Sequence, residues 1–413
     1  MYKTSILHLI PSVGPMSFGP GYVALNLAKE QEQLGCSTQI WSLDTAMDVK
    51  WACEVSDFPR KNIRSFSYTG PSFLRYSPEM ERFAAGPAGK QFNVIHQHGI
   101  WTGISRVTNI LRRKHGISSV IAPHGSLESW ALNRSRWKKK IAETLYESMN
   151  LSSATCLHAT SEPELADFRK FGLLNSSAVI PNGVSNEWLN STGDADRFRD
   201  HFDIAHKQRI LLFMSRITPK KGLFLILHAI DMMKRDFAGW ILVIVGPDEF
   251  GHKSEVKSLV KELGMKDKVR FVDPIFNQLK RDAFSSAELF ILPSYSEGAP
   301  MVILDSLAAG VPVITTKASP WEDLSTYRCG WWVDVSVNEI CEALKYAVSL
   351  PKEHLEEMGQ RGKELVASKY AWSSLAQMTI DLYSWLLGRG KVPEFVFLDN
   401  FSNKPTKRVL ELK

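Results

Sequence analysis

YSEGAPMVILDSLAAGVPVIT, residues 295–315, follows the apolar run AELFILP (287–293) and decides how the second half of the chain is read. AELFILP has the length and content of a buried strand, and SYSEG (294–298) is its terminal turn. APMVILDSLAAG then reads as a short amphipathic helix that Gly310 stops, with a further strand in AGVPVIT. A strand, a turn, a helix and a strand in so few residues is the repeating unit of a parallel α/β sheet.

The same rhythm extends outward. Upstream lie RILLFMSR (209–216), a helix beginning near Gly222, WILVIVG, a charged helix around 252–264 and VRFVD. The first half opens with TSILHLIP, the Gly/Pro loop SVGPMSFGPG and the helical stretch YVALNLAKEQEQLG ending at Gly35. Further strands are expected in STQIWSL, NVIHQHG (93–99), SSVIAPHG (118–125), ATCLHAT (154–160) and SAVIPNG (177–183). Between the halves LNSTGDADRFRDHFDIAHKQ is polar, which places a link near 188–207. The expected fold is therefore α/β, with two similar doubly wound, Rossmann-like domains facing one another: 1–190, then 191–370, and finally 371–413 as a last helix and tail. The helix AWSSLAQMTIDLYSWLLG (371–388) carries an apolar stripe through Trp372, Leu375, Met378, Leu382 and Leu386 that needs a cover. The tail beyond it offers no motif.

Composition narrows the class. The chain has 413 residues and is 44% hydrophobic, enough for two cores. A net charge of +6 permits an acidic ligand or surface without selecting one, and no long basic tract with interleaved aromatics supports nucleic-acid binding. Five scattered cysteines without a CxxC pair fit a reducing compartment. The opening MYKTSILHLIPSVG lacks the pattern of a secretory signal, and no apolar run is long enough for a membrane span. The expectation is a cytoplasmic protein.

Several residues could carry chemistry. In the turn, Glu297 stands before the helix and Asp305 about two turns along it, so the pair reads as two separate ligand contacts or, alternatively, as a local cap and a solvated helix residue. Amides of Gly298, Ala299, Met301 and Val302 at the helix start could face a phosphate, Pro300 having none to offer. In MSRITPKKG (214–222), Arg216 can fork onto a phosphate and Lys220 or Lys221 can add a point charge, or the turn is simply solvated. Gly14, Gly19 and Gly21 permit close backbone approach in the first loop, which is also explicable as an ordinary turn. His124 in APHG ends a strand, where a neutral imidazole could bond a sugar hydroxyl or be an internally bonded core histidine. His96 and His98 share one side of a strand but lack a compact third and fourth ligand, so structural or acceptor-side roles outrank a metal. RSRWKKKIAETLYESM (134–149) is a basic amphipathic helix whose Trp137, Ile141, Leu145 and Met149 either dock on the first domain or meet a membrane surface. DAD at 194–196 is a weak metal pattern in a polar connection.

Taken together, SVGPMSFGPG, APHG, PNGV, SRITPKKG and above all SEGAPMVILDSLAAGVPVI resemble a GT-B glycosyltransferase of the large family 4 group, retaining enzymes related to glycogen- and sucrose-type synthases. The resemblance covers about 1–385 and is most specific over 211–315. It implies transfer of a sugar from a nucleotide-diphosphate sugar to a hydroxyl acceptor, with retention and without a required metal or cofactor. By this resemblance Glu297 contacts the donor sugar, Arg216 and Lys221 stabilise the diphosphate, and His124 lies beside the transferred sugar. Gly19 and Gly21 approach phosphate and acceptor, and Asp305 stands where the family has a glutamate on the ribose. The last helix would cross back to the first domain, and donor binding would close the domains. Bacterial polysaccharide or glycolipid assembly, with a saccharide or lipid-linked saccharide acceptor and peripheral contact at the inner membrane face through 134–149, is the implied setting. Competing readings are a non-hydrolysing nucleotide-sugar epimerase and a catalytically silent nucleotide-sugar-binding module.

Overall fold

The computed structural model describes residues 3–190 and 192–398, the side chains of Met16 and Phe18 excepted. The chain forms two compact units, one running to Asn182 and resuming at Trp372, the other spanning Gly183–Ala371.

In the first unit the strands are β1 (Ser5–Leu9), β2 (Ser37–Ser42), β3 (Ile63–Ser65), β4 (Val94–His98), β5 (Ser118–Ala122), β6 (Cys156–Ala159) and β7 (Ser177–Val179). In the second they are β8 (Arg209–Met214), β9 (Trp240–Val245), β10 (Val269–Val272), β11 (Leu289–Leu292), β12 (Val313–Thr316) and β13 (Gly330–Val333). A short β14 (Val396–Phe397) returns to the first sheet. The sheet orders are β14-β7-β6-β5-β4-β1-β2-β3 and β10-β9-β8-β11-β12-β13, and every pairing is parallel except β14 with β7. Each unit thus has its first strand beside its fourth, the doubly wound order in which connections leave in opposite directions. Helices cover both faces, which is why β4, β6, β9, β11 and β12 are buried along their whole length and why β9 and β11 read as apolar runs.

Four features depart from the sequence reading. The strands β3, β13 and β14 are additional; they are short or lie at sheet edges, where few residues alternate. The polar stretch read as a link is folded onto the second unit: Trp188, Phe198 and Ile204 are buried there, and Arg197 forks onto the buried Asp282 at 2.5 and 2.7 Å. The division accordingly falls at Asn182/Gly183 rather than 190/191. The Phe18–Gln33 helix starts early enough to take Gly19, Pro20 and Gly21 into its first turn, so these glycines are helical rather than part of a loop.

The Trp372–Leu386 helix packs on the Phe18–Gln33 helix within the first unit. Its buried face is Trp372, Leu375, Ala376, Thr379, Leu382 and Tyr383, a stripe rotated from the expected one, since Met378 and Leu386 are only half-buried. Gln31 is the reason: its Nε2 donates to Thr379 Oγ1 at 2.8 Å and to Tyr383 Oη at 3.3 Å, so two polar positions must face inward. The segment after Asn133 is helical over Arg136–Ala142, passes through a π-turn at Glu143–Glu147 and is helical again over Ser148–Ser152. Ala142, Tyr146 and Leu151 dock on the unit, but the expected stripe does not. Trp137, Ile141, Leu145 and Met149 are 64%, 52%, 69% and 51% exposed.

In the second unit the helix Met301–Ala308 ends as expected. Gly310 takes φ +77° and Val311 N donates back to Ser306 O at 2.9 Å, closing a left-handed C-cap. The Lys352–Lys369 helix lies directly on this turn, and a Cβ placed on Gly359 would sit 1.8 Å from the Gly310 carbonyl oxygen. A Gly359→Ala change gains about 1 kcal/mol in helix propensity, but displacing backbone from a packed contact costs about 1–3 kcal/mol. The expected outcome is net destabilisation, seen as a lower urea midpoint at unchanged slope; a midpoint equal to or above that of the parent contradicts this packing.

Candidate active site

The second unit's reversal of strand order sets β8 against β11 in parallel, Leu211 opposite Leu289, so the loops leaving their carboxyl ends are neighbours. These are the loops that hold Arg216 and Lys221 on one side and Glu297 on the other. Two backbone contacts join them. Gly222, at φ +70°, packs so closely on Pro293 that a Cβ would lie 2.1 Å from its carbonyl oxygen, and Tyr295 N donates to Lys220 O at 2.8 Å. Only glycine meets both demands at 222.

Lys221 closes the turn Pro219–Lys221 and is buried, its ammonium paired with the Glu297 carboxylate. Ser294 Oγ donates to Glu297 Oε1 at 2.6 Å, and Glu297 N donates to Ala318 O at 2.9 Å. Both side chains of the pair are 9% exposed. Burial by itself raises the Glu297 carboxyl, but the attraction of Lys221 and the hydrogen bonds from Lys221 and Ser294 outweigh it and hold the group below its ordinary range. Arg216 Nη1 donates to both carboxylate oxygens of Glu249, in the loop after β9, at 3.0 and 2.9 Å.

The helix after this turn begins at Met301 with Pro300 as its N-cap, so Gly298 and Ala299 precede the helix and only Met301 and Val302 of the expected amides lie in its first turn. Asp305 is not a solvated helix residue. Its carboxylate is 5% exposed and bonded to Lys280 Nζ at 2.6 Å, while its carbonyl accepts from Trp188 Nε1 at 2.9 Å.

In the first unit the loop after β1 is bonded from within: Asp44 accepts from Ser12 Oγ at 2.5 Å and from Val13 N at 2.8 Å. Gly21 has a packing reason to lack a side chain, since a Cβ there would be 2.0 Å from Ser17 Oγ. His124 follows β5 with φ 51°, a conformation costly for a non-glycine residue. Its ring stacks on His98 with centroids 5.3 Å apart, and the two share a hydrogen bond of 3.1 Å. Glu164 anchors this turn, accepting from Gly125 N at 2.6 Å and from Thr160 N and Oγ1 at 2.7 and 2.6 Å. Burial pushes His124 down to about 3, so the imidazole is neutral at ordinary pH.

Nitrogens of His8, His96 and His98 lie within 4.8 Å of one another, the spacing of a metal cluster. Their hydrogen bonds argue otherwise. His8 and His98 bond each other at 3.0 Å, and His96 bonds Tyr383 Oη at 2.7 Å and His158 at 3.1 Å, so the rings are already satisfied. Asp194 likewise caps the Ala195–His201 helix by accepting from Arg197 N at 3.0 Å. Sequence reasoning did not single out Glu249, Lys280, Ser294, Glu164, His8, Gln31, His158 or Tyr383. For the histidines a signal exists: a histidine within an apolar, two-side-buried strand has to find a partner.

The profile described as "Glycosyl transferase 4-like domain" matches residues 18–183, and that described as "Glycosyl transferases group 1" matches 194–365. The chain is similar to a GDP-mannose:cellobiosyl-diphosphopolyprenol alpha-mannosyltransferase of Komagataeibacter xylinus, 23% identical over 94% of this chain and 95% of that one. Its fold is similar to the sucrose-phosphate synthase of Thermosynechococcus elongatus, with TM-score 0.74, 20% identity and coverage of 93% and 99% of the two chains. It is also similar to Anabaena HepE in complex with UDP-glucose, with TM-score 0.74, 17% identity and coverage of 92% and 99%. Two successive Rossmann-like units, each matched by its own glycosyltransferase profile, identify the chain as a GT-B-fold glycosyltransferase related to the family 4 and group 1 enzymes.

Proposed function

We propose that the chain transfers a glycosyl group from a nucleotide-diphosphate sugar to a hydroxyl acceptor, with retention of configuration. The observation that carries this reading is the joining of the 215–222 and 293–298 loops, which gathers Arg216, Lys221 and Glu297 at the carboxyl ends of β8 and β11. The UDP-glucose complex of HepE, similar in fold, supports a nucleotide-sugar donor. In this reading Arg216, Lys221 and the Met301 and Val302 amides oppose the charge growing on the departing diphosphate. Glu297 orients the donor sugar and His124 bonds the transferred sugar. The leaving phosphate takes the acceptor proton, so no protein nucleophile is assigned. Gly298, Ala299 and Pro300 shape the approach to the phosphate, and Gly19 and Gly21 let the first helix turn approach phosphate or acceptor. Asp305 would meet the ribose only by sharing its carboxylate with Lys280.

A second reading concerns the acceptor side. The exposed Trp137, Ile141, Leu145 and Met149, flanked by the exposed Arg136 and Lys140, form an apolar face with a basic border that fits an anionic lipid surface. No helix of the described residues is long and apolar enough to cross a membrane. The similar K. xylinus enzyme is named for a polyprenol-linked acceptor, which supports a lipid-linked saccharide and peripheral contact at the cytoplasmic face.

A panel of nucleotide sugars, ranked by thermal stabilisation and then paired with acceptor libraries by mass spectrometry, identifies the donor. With that donor, Glu297→Gln and Arg216→Ala are each expected to lower kcat/KM by about 10²-fold or more; efficiency within a few-fold of the parent overturns the assignment. Glutamine is preferred to alanine because truncation would leave Lys221 buried without a partner, a cost of about 3–5 kcal/mol. The same variant tests the electrostatics. An ionised Glu297 held below its ordinary range contributes stability that is complete above the unfolded carboxyl pKa and is lost as pH falls through the lowered folded value. Glu297→Gln should therefore flatten part of the acid limb of the stability profile, and an unchanged limb contradicts the pairing. For the lipid face, replacing Ile141 and Leu145 with Asp should abolish co-flotation with vesicles containing anionic phospholipid while leaving the melting temperature unchanged; undiminished flotation rejects that surface.

A further inference from the structure

Five histidines of the first unit are joined in one hydrogen-bonded network whose proton positions can be worked out, because a neutral imidazole has one donor and one acceptor nitrogen. Gln31 is the starting point. Its Nε2 donates to Thr379 Oγ1, which itself donates to Ala376 O at 2.8 Å, and to Tyr383 Oη, so its Oε1 is left to accept from His8 Nε2 at 2.9 Å. His8 Nδ1 then accepts from His98 Nε2 at 3.0 Å, and His98 Nδ1 accepts from His124 Nε2 at 3.1 Å. The second branch starts from a backbone carbonyl, which can only accept. His158 Nε2 donates to Ile180 O at 2.8 Å, His158 Nδ1 accepts from His96 Nε2 at 3.1 Å, and His96 Nδ1 accepts from Tyr383 Oη–H at 2.7 Å. Tyr383 oxygen accepts from Gln31, which joins the branches, and every proton is placed once.

The network has one open end. Nδ1 of His124 makes no hydrogen bond among the described residues, and the residue is half-buried rather than sealed in the core. We propose that Gln31, His8 and His98 are positioning residues that lock His124 in its Nε2–H tautomer, so that Nδ1 presents a lone pair and the subsite at His124 takes a hydrogen-bond donor, a ligand hydroxyl, and disfavours an ether or carbonyl oxygen at that point. Assigning that hydroxyl to the transferred sugar rests on the role proposed for His124 above; the lock itself does not. Burial, which lowers all five rings, keeps them neutral and preserves the pattern, because a second proton on His8, His98 or His158 would set two donors against each other. The groups bonded to the rings are Gln31 from the Phe18–Gln33 helix, Tyr383 from the Trp372–Leu386 helix and the Ile180 carbonyl, none of them charged.

Long-range nitrogen–proton NMR of the full chain labelled with ¹⁵N-histidine tests the lock without any substrate, so its outcome is separable from that of the transfer assay. His8, His96, His98, His124 and His158 are each expected as the Nε2–H tautomer, with no titration through the ordinary histidine range. Gln31→Met removes the acceptor that starts the first branch. In that variant His98 and His124 should shift toward mixed tautomers, while His158, anchored by Ile180, should keep its signal, a selectivity that general loosening of the fold would not produce. His124 found with its proton on Nδ1 in the parent chain, or unchanged in Gln31→Met, overturns the proposal; should that variant not fold, the parent spectrum alone decides it.

Discussion

A parallel sheet whose order reverses beside its first strand has one place where two neighbouring strand ends send their chains to opposite faces, and the second unit is organised around the close contact that spans it. At that place the α-carbon of Gly222 rests on the carbonyl of Pro293. A methyl group there would push the two loops apart, and the Lys221–Glu297 pair, formed across the same seam, would be the first interaction to stretch. The packing of β8 against β11 beneath the loops supplies a rigid base, so the separation of the charges is set by backbone rather than by flexible side chains.

The two units handle polar groups in different ways. In the second, Arg216 faces Glu249, Lys221 faces Glu297 and Lys280 faces Asp305. Lys221, Glu297 and Asp305, charges that would each cost several kcal/mol to bury alone, are held in opposite-sign pairs. On the proposed reading, an anion at Arg216 or Lys221 would replace an existing partner rather than meet a bare cation. The first unit instead buries histidines that stay uncharged and links them by hydrogen bonds, with Glu164 holding the turn of His124 through backbone amides. Neutral groups cost less to bury but must be satisfied one by one, and the Trp372–Leu386 helix contributes Tyr383 and Thr379 to that end.

Much of this was legible along the chain. AELFILP and AGVPVIT announced buried strands because both faces of a parallel sheet are covered, and Gly310 announced a helix end because only glycine adopts its φ cheaply. Arg216, Lys221 and Glu297 stood out as candidates because each lies in the loop that follows such a strand. Other features were hidden for definite reasons. Gly19 and Gly21 look like loop residues, yet the helix begins before them, and Ser17 fills the space a side chain on Gly21 would need. Asp305 looks exposed by spacing, but Lys280 reaches it from the Asn277–Ser286 helix, a contact no local pattern encodes. The apolar residues from Trp137 to Met149 have helical spacing whether they face a core or solvent.

Sequence by itself determined the alternation of strands and helices, the strand-end placement of the charged residues and the doubly wound class, because periodicity and turn chemistry act over neighbouring residues and are written there. Tertiary structure alone decided which opposite charge each of those residues meets, which nitrogen of each histidine carries its proton, and which face of a helix looks outward. Those outcomes depend on groups brought together from distant parts of the chain, and a hydrogen bond or ion pair is specified by separations of a few ångströms in space that no separation along the chain records.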